Sequence, residues 1–218
     1  MITFSRPRVF VVEQDPAMAS SLLSHFRLSG LHTERFESAA DFLAEVNSDQ
    51  PGCVLFDVQT PGMSGVELLE YMKLRNYCIP VIFLTSDGDV HTAVSSMKHG
   101  TFDYVEKSED PNLLYARVLK AIEYDTVLRA ELKERHQCAS KIKLLTIREI
   151  EILKLVVSGL ASKQIASTLH ISIRTVDKHR GSLMLKLDAS NAAELVRIAF
   201  ESGLTRKTIQ PLNMLAMA

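Results

Sequence analysis

The stretch "CVLFDVQTPGMSG", Cys53–Gly65, runs four apolar residues into a single carboxylate, Asp57, and then loses its hydrophobic pattern. A short apolar run that stops at a polar residue predicts a buried strand surfacing at one edge of a sheet. Three further runs share this shape. Val9–Val12 stops at Glu13 and Gln14, Val81–Leu84 stops at Thr85 and Ser86, and the weaker Tyr104–Val105 leads to Lys107. Helix-spaced apolar residues fill the intervals Pro16–Leu28, Ser38–Val46, Ser64–Leu74 and Val90–Met97, and a short strand fits near His32–Phe36. Strands alternating with helices predict a doubly wound α/β domain with a parallel sheet.

In such sheets ligands bind beyond the carboxyl ends of the strands. Any one polar residue there reads more readily as an ordinary strand terminus than as a functional group. Together, Glu13, Asp57, Thr85 and Lys107 suit phosphoryl transfer to a carboxylate. Asp57 would be the nucleophile, giving an aspartyl phosphate. Carboxylates after strands one and three would hold a magnesium ion through hard oxygen ligands. Lys107 would meet a phosphoryl oxygen as a point charge, and the Thr85 hydroxyl would bond another and report its presence.

These residues resemble the receiver domain of two-component response regulators over about residues 6–122. "LFDVQTPGMSG" carries Asp57, Pro61 and Gly65, "FLTS" carries Thr85, and "YVEK" carries Tyr104 and Lys107. The resemblance implies a flavodoxin-like fold, a five-stranded parallel sheet of order 2-1-3-4-5. It implies phosphotransfer to Asp57 from a cognate histidine kinase, and a switch face on the family's fourth helix, fifth strand and fifth helix. It also implies magnesium ligands among Glu13, Gln14, Asp57 and the backbone carbonyl of Gln59, with Thr85, Tyr104 and Lys107 answering to phosphate. Two positions depart from the pattern. Receivers usually carry two adjacent carboxylates where this chain has Glu13-Gln14, and a proline where it has Ser108. The first predicts a magnesium site of reduced charge. The second predicts a trans bond, because a cis bond before a non-proline residue costs about 2.5–4 kcal/mol. The alternatives left open are a receiver that controls DNA binding without phosphorylation, or a signalling adaptor.

Charge divides the chain. Residues 1–108 carry 8 Lys/Arg against 14 Asp/Glu, and residues 143–218 carry 11 against 6. An acidic front and a basic back suggest different partners, nucleic acid being the natural one for the back. Three widely spaced cysteines with no metal-ligand spacing suit free thiols in a reducing compartment. No signal-peptide core or membrane-length apolar run is seen, so a cytoplasmic protein without a membrane partner is expected.

Asn112–Lys143 contains neither Pro nor Gly and reads as one long helix that begins on the sheet and runs on as a linker. Beyond it, Thr146 and Glu149 have capping-box spacing, and Gly159 is a natural stop. A short helix from Ser162, a turn at His170-Ile171, and a third helix from Ile173 to Lys186 follow, the last basic on its outer face. Two short helices with a tight turn suit a major-groove reader, although a small bundle with a solvated face has the same pattern. The segment "LTIREIEILKLVVSGLASKQIASTLHISIRTVDKHRGSLMLKL" resembles the LuxR-type helix-turn-helix that ends FixJ-type regulators, over about residues 144–205. By that resemblance Arg174, Lys178, Gly181 and Ser182 face base edges or the groove floor. Lys163, Thr175, His179 and Lys186 meet phosphates or shape the helix. Asp177 is an unusual acid on this face and would accept a hydrogen bond from cytosine N4 or pair with a neighbouring base. A fourth helix near Asn191–Ser202 would supply a dimer contact, with Leu195 and Ala199 as candidates.

The expected organisation is therefore a receiver at residues 1–122, a helical linker at 123–143, an all-α four-helix LuxR-type domain at 144–205 and a tail at 206–218. The expected partners are double-stranded promoter DNA, a histidine kinase, a second copy of the chain and RNA polymerase. An α/β phosphohydrolase also uses an aspartate nucleophile, but it carries a second carboxylate two residues on, where this chain has Gln59. A regulator, not an enzyme, is expected.

Overall fold

The computed structural model describes residues 6–86 and 100–205. It divides into two compact units, Met1–Arg129 and Ala130–Ala218.

The first unit holds strands β1 (Arg8–Val12), β2 (His32–Phe36), β3 (Gly52–Asp57), β4 (Val81–Thr85) and β5 (Asp103–Glu106). They form a parallel sheet in the order β2-β1-β3-β4-β5. The alternation of strand side chains builds two cores. Phe10, Val12, Val54, Phe56, Val81 and Phe83 point to one face, where helices α2 (Ala39–Glu45) and α3 (Gly65–Leu74) add Phe42, Leu68 and Met72. Val9, Val11, Cys53, Leu55, Ile82 and Leu84 point to the other, covered by Phe26 of α1 (Pro16–Leu28) and by Leu114, Val118 and Ala121 of α4 (Pro111–Ile142). Continuous apolar strands are the mark of a parallel sheet buried on both faces. Local signals start each helix. Asp15 Oδ1 accepts from Ala17 N, Ser38 caps α2, and Ser64 and Glu67 close a capping box on α3. Gly65 lies so close to Phe83 that an added Cβ would stand 2.7 Å from its ring. The predicted helix Val90–Met97 lies outside the described residues.

The 32-residue helix α4 contains a feature absent from the sequence reading. Asp125 is fully buried and accepts from Gly52 N at 2.9 Å, at the start of β3. Arg129, one turn on, donates to Asp125 through Nε, to the Ser48 carbonyl at 2.9 Å and to the Gln50 carbonyl at 2.7 Å. A buried carboxylate persists only where it is paired and hydrogen-bonded, and this one is both. Of this helix, the residues through Arg129 fall in the first unit and those from Ala130 in the second.

The second unit adds α5 (Ile147–Val157), α6 (Ser162–Leu169), α7 (Ile173–Leu187) and α8 (Ala192–Glu201). Ile152, Leu153, Ile165, Val176, Leu183, Leu187 and Ile198 form its core, with Cys138 of α4 joining them. Thr146 and Glu149 make the predicted capping box. On α8 the box is displaced: Asn191 Oδ1 accepts from Glu194 N, while the Glu194 carboxylate accepts from Ser190. The terminal turns of α4 are tied into this bundle by the Lys141 ammonium on the Leu187 carbonyl (2.9 Å) and by the Glu134–Arg197 ion pair.

Candidate functional site

The parallel register sets the ends of β1, β3, β4 and β5 side by side at one edge of the sheet. Val12 lies opposite Phe56, Asp57 opposite Leu84 and Thr85 opposite Glu106. Asp57 and Thr85 are the last residues of β3 and β4, and Glu13 and Lys107 the first after β1 and β5; the first three are buried and Lys107 is largely covered. The Lys107 amide donates to the Thr85 carbonyl at 2.7 Å, which brings its side chain back over the sheet edge. Its ammonium stands 2.7 Å from Glu13 Oε2 and 2.9 Å from Asp57 Oδ2. Desolvation lowers the lysine pKa, but the bonds to Glu13 and Asp57 outweigh it, so the pKa is raised and the side chain stays cationic. Asp57 Oδ1 accepts from Gln59 N at 3.1 Å, and Glu13 Oε1 accepts from Asp15 N at 3.0 Å. Each carboxylate thus has one oxygen held by backbone and the other turned to the lysine.

The extra methylene of Glu13 lets it reach inward. Gln14 does not: it is exposed, and the hydrogen bond it makes is through its main-chain oxygen, which accepts from Arg35 at 3.0 Å. The reason is chain direction, since successive residues leaving a strand alternate sides. Its side chain is therefore not brought to the pocket. Gln59 is exposed at the mouth and acts through its backbone amide. Asp15 is exposed, and its side chain is engaged in capping α1. Tyr104 is half-buried against the apolar cluster containing Phe83. No peptide bond among the described residues is cis, the one before Ser108 included.

Two carboxylate oxygens converging on one ammonium leave the trio with a surplus negative charge. No cluster of three or more His, Cys, Asp or Glu suited to a metal occurs among the described residues. Magnesium nevertheless needs only one or two carboxylates when waters and phosphate complete its shell. The hard, buried oxygens of Glu13 and Asp57 fit that minimum, with Gln14 contributing no charge.

The second candidate site is the outer face of α7. His170 takes a left-handed conformation (φ 52°) at the end of α6, and Ser172 caps α7 by accepting from Thr175 N. Val176, Leu183 and Leu187 turn into the core, so Arg174, Asp177, Lys178 and Gly181 stand exposed on the opposite side. Lys163 is exposed on α6, and His179 and Ser182 are half-buried on the flanks of α7. Thr175 is engaged in the cap, its hydroxyl 2.8 Å from that of Ser172. Lys186, expected to meet phosphates or shape the helix, is engaged within the second unit. Its ammonium pairs with buried Glu149 at 2.8 Å, which ties α7 to α5. Leu185, absent from the sequence reading, is 84% exposed on the same face as Gly181.

Leu195 and Ala199, expected at a dimer contact, are buried in the bundle core with Ile198. They have no surface to offer a second copy. The solvent face of α8 carries Ala193, Val196 and Phe200, the last two 39% and 51% exposed. Both stripes are apolar with helical spacing, so the sequence did not separate them.

Comparison with known proteins agrees with this geometry. Residues 9–119 match the response regulator receiver domain family, and residues 143–199 match the family described as bacterial regulatory proteins, luxR family. The chain is 38% identical over 192 residues to the C4-dicarboxylate transport transcriptional regulatory protein DctR of Rhodobacter capsulatus, spanning 87% of this chain and 98% of that one. It is 38% identical over 196 residues to the transcriptional regulatory protein FixJ of Azorhizobium caulinodans, spanning 89% and 92%. Among solved structures, the response regulator StyR superposes with a TM-score of 0.81 at 32% identity, covering 90% of this chain and all of that one. Full-length FixJ from B. japonicum gives 0.56 at 32% identity, covering 92% and 98%.

Proposed function

Since the chain belongs to the response regulator family, as a two-component transcriptional regulator with a receiver and a LuxR-type DNA-binding domain, we propose that Asp57 accepts a phosphoryl group from a histidine kinase and that this acceptance controls promoter binding. The observation that carries this reading is the Lys107 ammonium shared between Asp57 Oδ2 and Glu13 Oε2 at the sheet edge.

Asp57 Oδ1 is held by the Gln59 amide, so Oδ2 is the attacking oxygen. It forms a bond to phosphorus as the phosphorus–nitrogen bond to the donor imidazole breaks. Lys107 then exchanges its contact with Oδ2 for a phosphoryl oxygen while keeping Glu13. Magnesium, when bound, neutralises charge on the phosphoryl oxygens, with Glu13 and Asp57 as its protein carboxylates. Thr85 adjoins Asp57 across β3 and β4, and Tyr104 stands on neighbouring β5, which supports a role for both in answering the new group.

The DNA-facing surface is α7, presented by Arg174, Lys178, Gly181 and Ser182, with Lys163 and His179 toward phosphates. A second copy would dock through Ala193, Val196 and Phe200 of α8, giving a two-fold dimer on paired half-sites. The dimer at a promoter would act on RNA polymerase.

The test is the intact mass after incubation with acetyl phosphate and magnesium. The wild-type chain gains one phosphoryl group and Asp57→Asn gains none. A wild-type chain that gains none at any magnesium concentration overturns the phosphorylation reading and leaves the DNA reading standing.

A further inference from the structure

Gly181 sits in the interior of α7, where glycine weakens a helix relative to alanine. Nothing inside the domain requires it. Its φ is not in the left-handed region, and a Cβ built on it would meet no atom within 4 Å. Gly65, the other helical glycine among the described residues, differs sharply, because a Cβ there would collide with Phe83. Gly181 is exposed and lies one turn beyond Asp177, on the face that also carries Arg174 and Lys178. Residues four apart on a helix stand one above the other. Asp177 is itself exposed, although an acid on this face repels phosphates. Two residues that each disfavour the obvious task, helix stability for one and backbone charge for the other, therefore stand together on the surface that meets DNA.

We infer that Gly181 and Asp177 form a specificity pair, in which the bare helix backbone at Gly181 seats against base edges and the Asp177 carboxylate accepts a hydrogen bond from a cytosine amino group. This rests on the DNA reading above and names what that surface reads. A carboxylate has only acceptors, and the major-groove partner it suits is cytosine N4. Phosphate contacts by Lys163 and His179 would fix the helix in register without choosing a base.

The test uses the full-length chain treated with acetyl phosphate and magnesium, selecting from a library of randomised duplexes. The wild type enriches a half-site with one invariant C·G pair. Asp177→Ala enriches the same half-site with that pair relaxed, binds the wild-type sequence roughly tenfold more weakly, and binds random duplex more tightly because a repelling charge is gone. If Asp177 is only a solvated charge, Asp177→Ala tightens binding to all duplexes equally and the motif is unchanged, which overturns the inference. Gly181→Leu raises the melting temperature of the free protein, by about 4–8 °C if the gain resembles that of a good helix former, and lowers specific affinity at least tenfold. A variant that is more stable and binds within twofold of wild type shows that no base edge approaches there. A wild type that enriches no motif removes the DNA reading itself. A wild type that enriches a motif which Asp177→Ala leaves intact removes the specificity pair alone.

Discussion

The pocket at the sheet edge and the outer face of α7 use charge in opposite ways. In the pocket the Lys107 ammonium lies under 3 Å from both Glu13 and Asp57, all three buried or nearly so, and both carboxylates meet that one cation within the same unit. On α7 the charges of Arg174, Asp177 and Lys178 stand in solvent. The first arrangement is a closed circuit that a small group must open, so its natural output is a rearrangement. The second is an open surface that waits for an external polyanion, so its natural output is affinity. Low dielectric strengthens the pocket's interactions and makes them insensitive to salt, whereas those on α7 are screened.

The largest effect that would sharpen this contrast comes from the clamp under the first unit. Arg129→Ala leaves the Asp125 carboxylate buried without its cation, and should cost about 3–5 kcal/mol in chemical denaturation of the first unit. A loss below 1 kcal/mol would mean that water reaches Asp125 and that burial there is not strict. On the open face, Lys178→Ala should weaken promoter binding by about 1–3 kcal/mol in titrations at fixed salt, without lowering the melting temperature. An unchanged affinity would place the recognition surface elsewhere.

Acid should divide the two units by a third route. Desolvation raises the Glu149 pKa, but the Lys186 and Thr146 hydrogen bonds outweigh it and hold it below its ordinary value of 4.5. A group whose folded pKa is depressed adds stability that is complete above the unfolded value and is lost as pH falls through the folded one. The second unit should therefore lose stability below about pH 4.5, and Glu149→Gln should flatten that slope. The smallest effect expected is that of Gln14→Asp. It adds a carboxylate beside the pocket and should lower the magnesium concentration needed for half-maximal phosphorylation. No change would mean that residue 14 stays turned to solvent when the ion binds.

How much of this was visible in the sequence depended on the range of the interaction. Strand ends and caps are local. Val9–Val12, Asp57, Thr85 and Thr146-Glu149 were legible because apolar runs that stop at a polar residue and capping boxes operate within a few residues. Glu13 and Lys107 were legible as neighbours because parallel strands line up their carboxyl ends. The Asp125–Arg129 clamp was not, since its partners Ser48, Gln50 and Gly52 are more than seventy residues away. One sign was present: Asp125 continues the buried stripe of Val118 and Ala121, where a carboxylate must find a partner. The Lys186–Glu149 pair was hidden for a similar reason, because the two residues are 37 positions apart. Leu195 and Val196 lie on two apolar stripes of one short helix, and only the packed bundle decides which stripe faces inward.

The most direct test of the whole account is the affinity of the full-length chain for its selected promoter duplex, with and without acetyl phosphate and magnesium, for wild type and Asp57→Asn in parallel. The acyl phosphate should tighten wild-type binding roughly 5- to 150-fold, the usual range of coupling between two sites, and leave Asp57→Asn unmoved. Equal wild-type affinity with and without the phosphoryl donor, under conditions where Asp57 is phosphorylated, would contradict it.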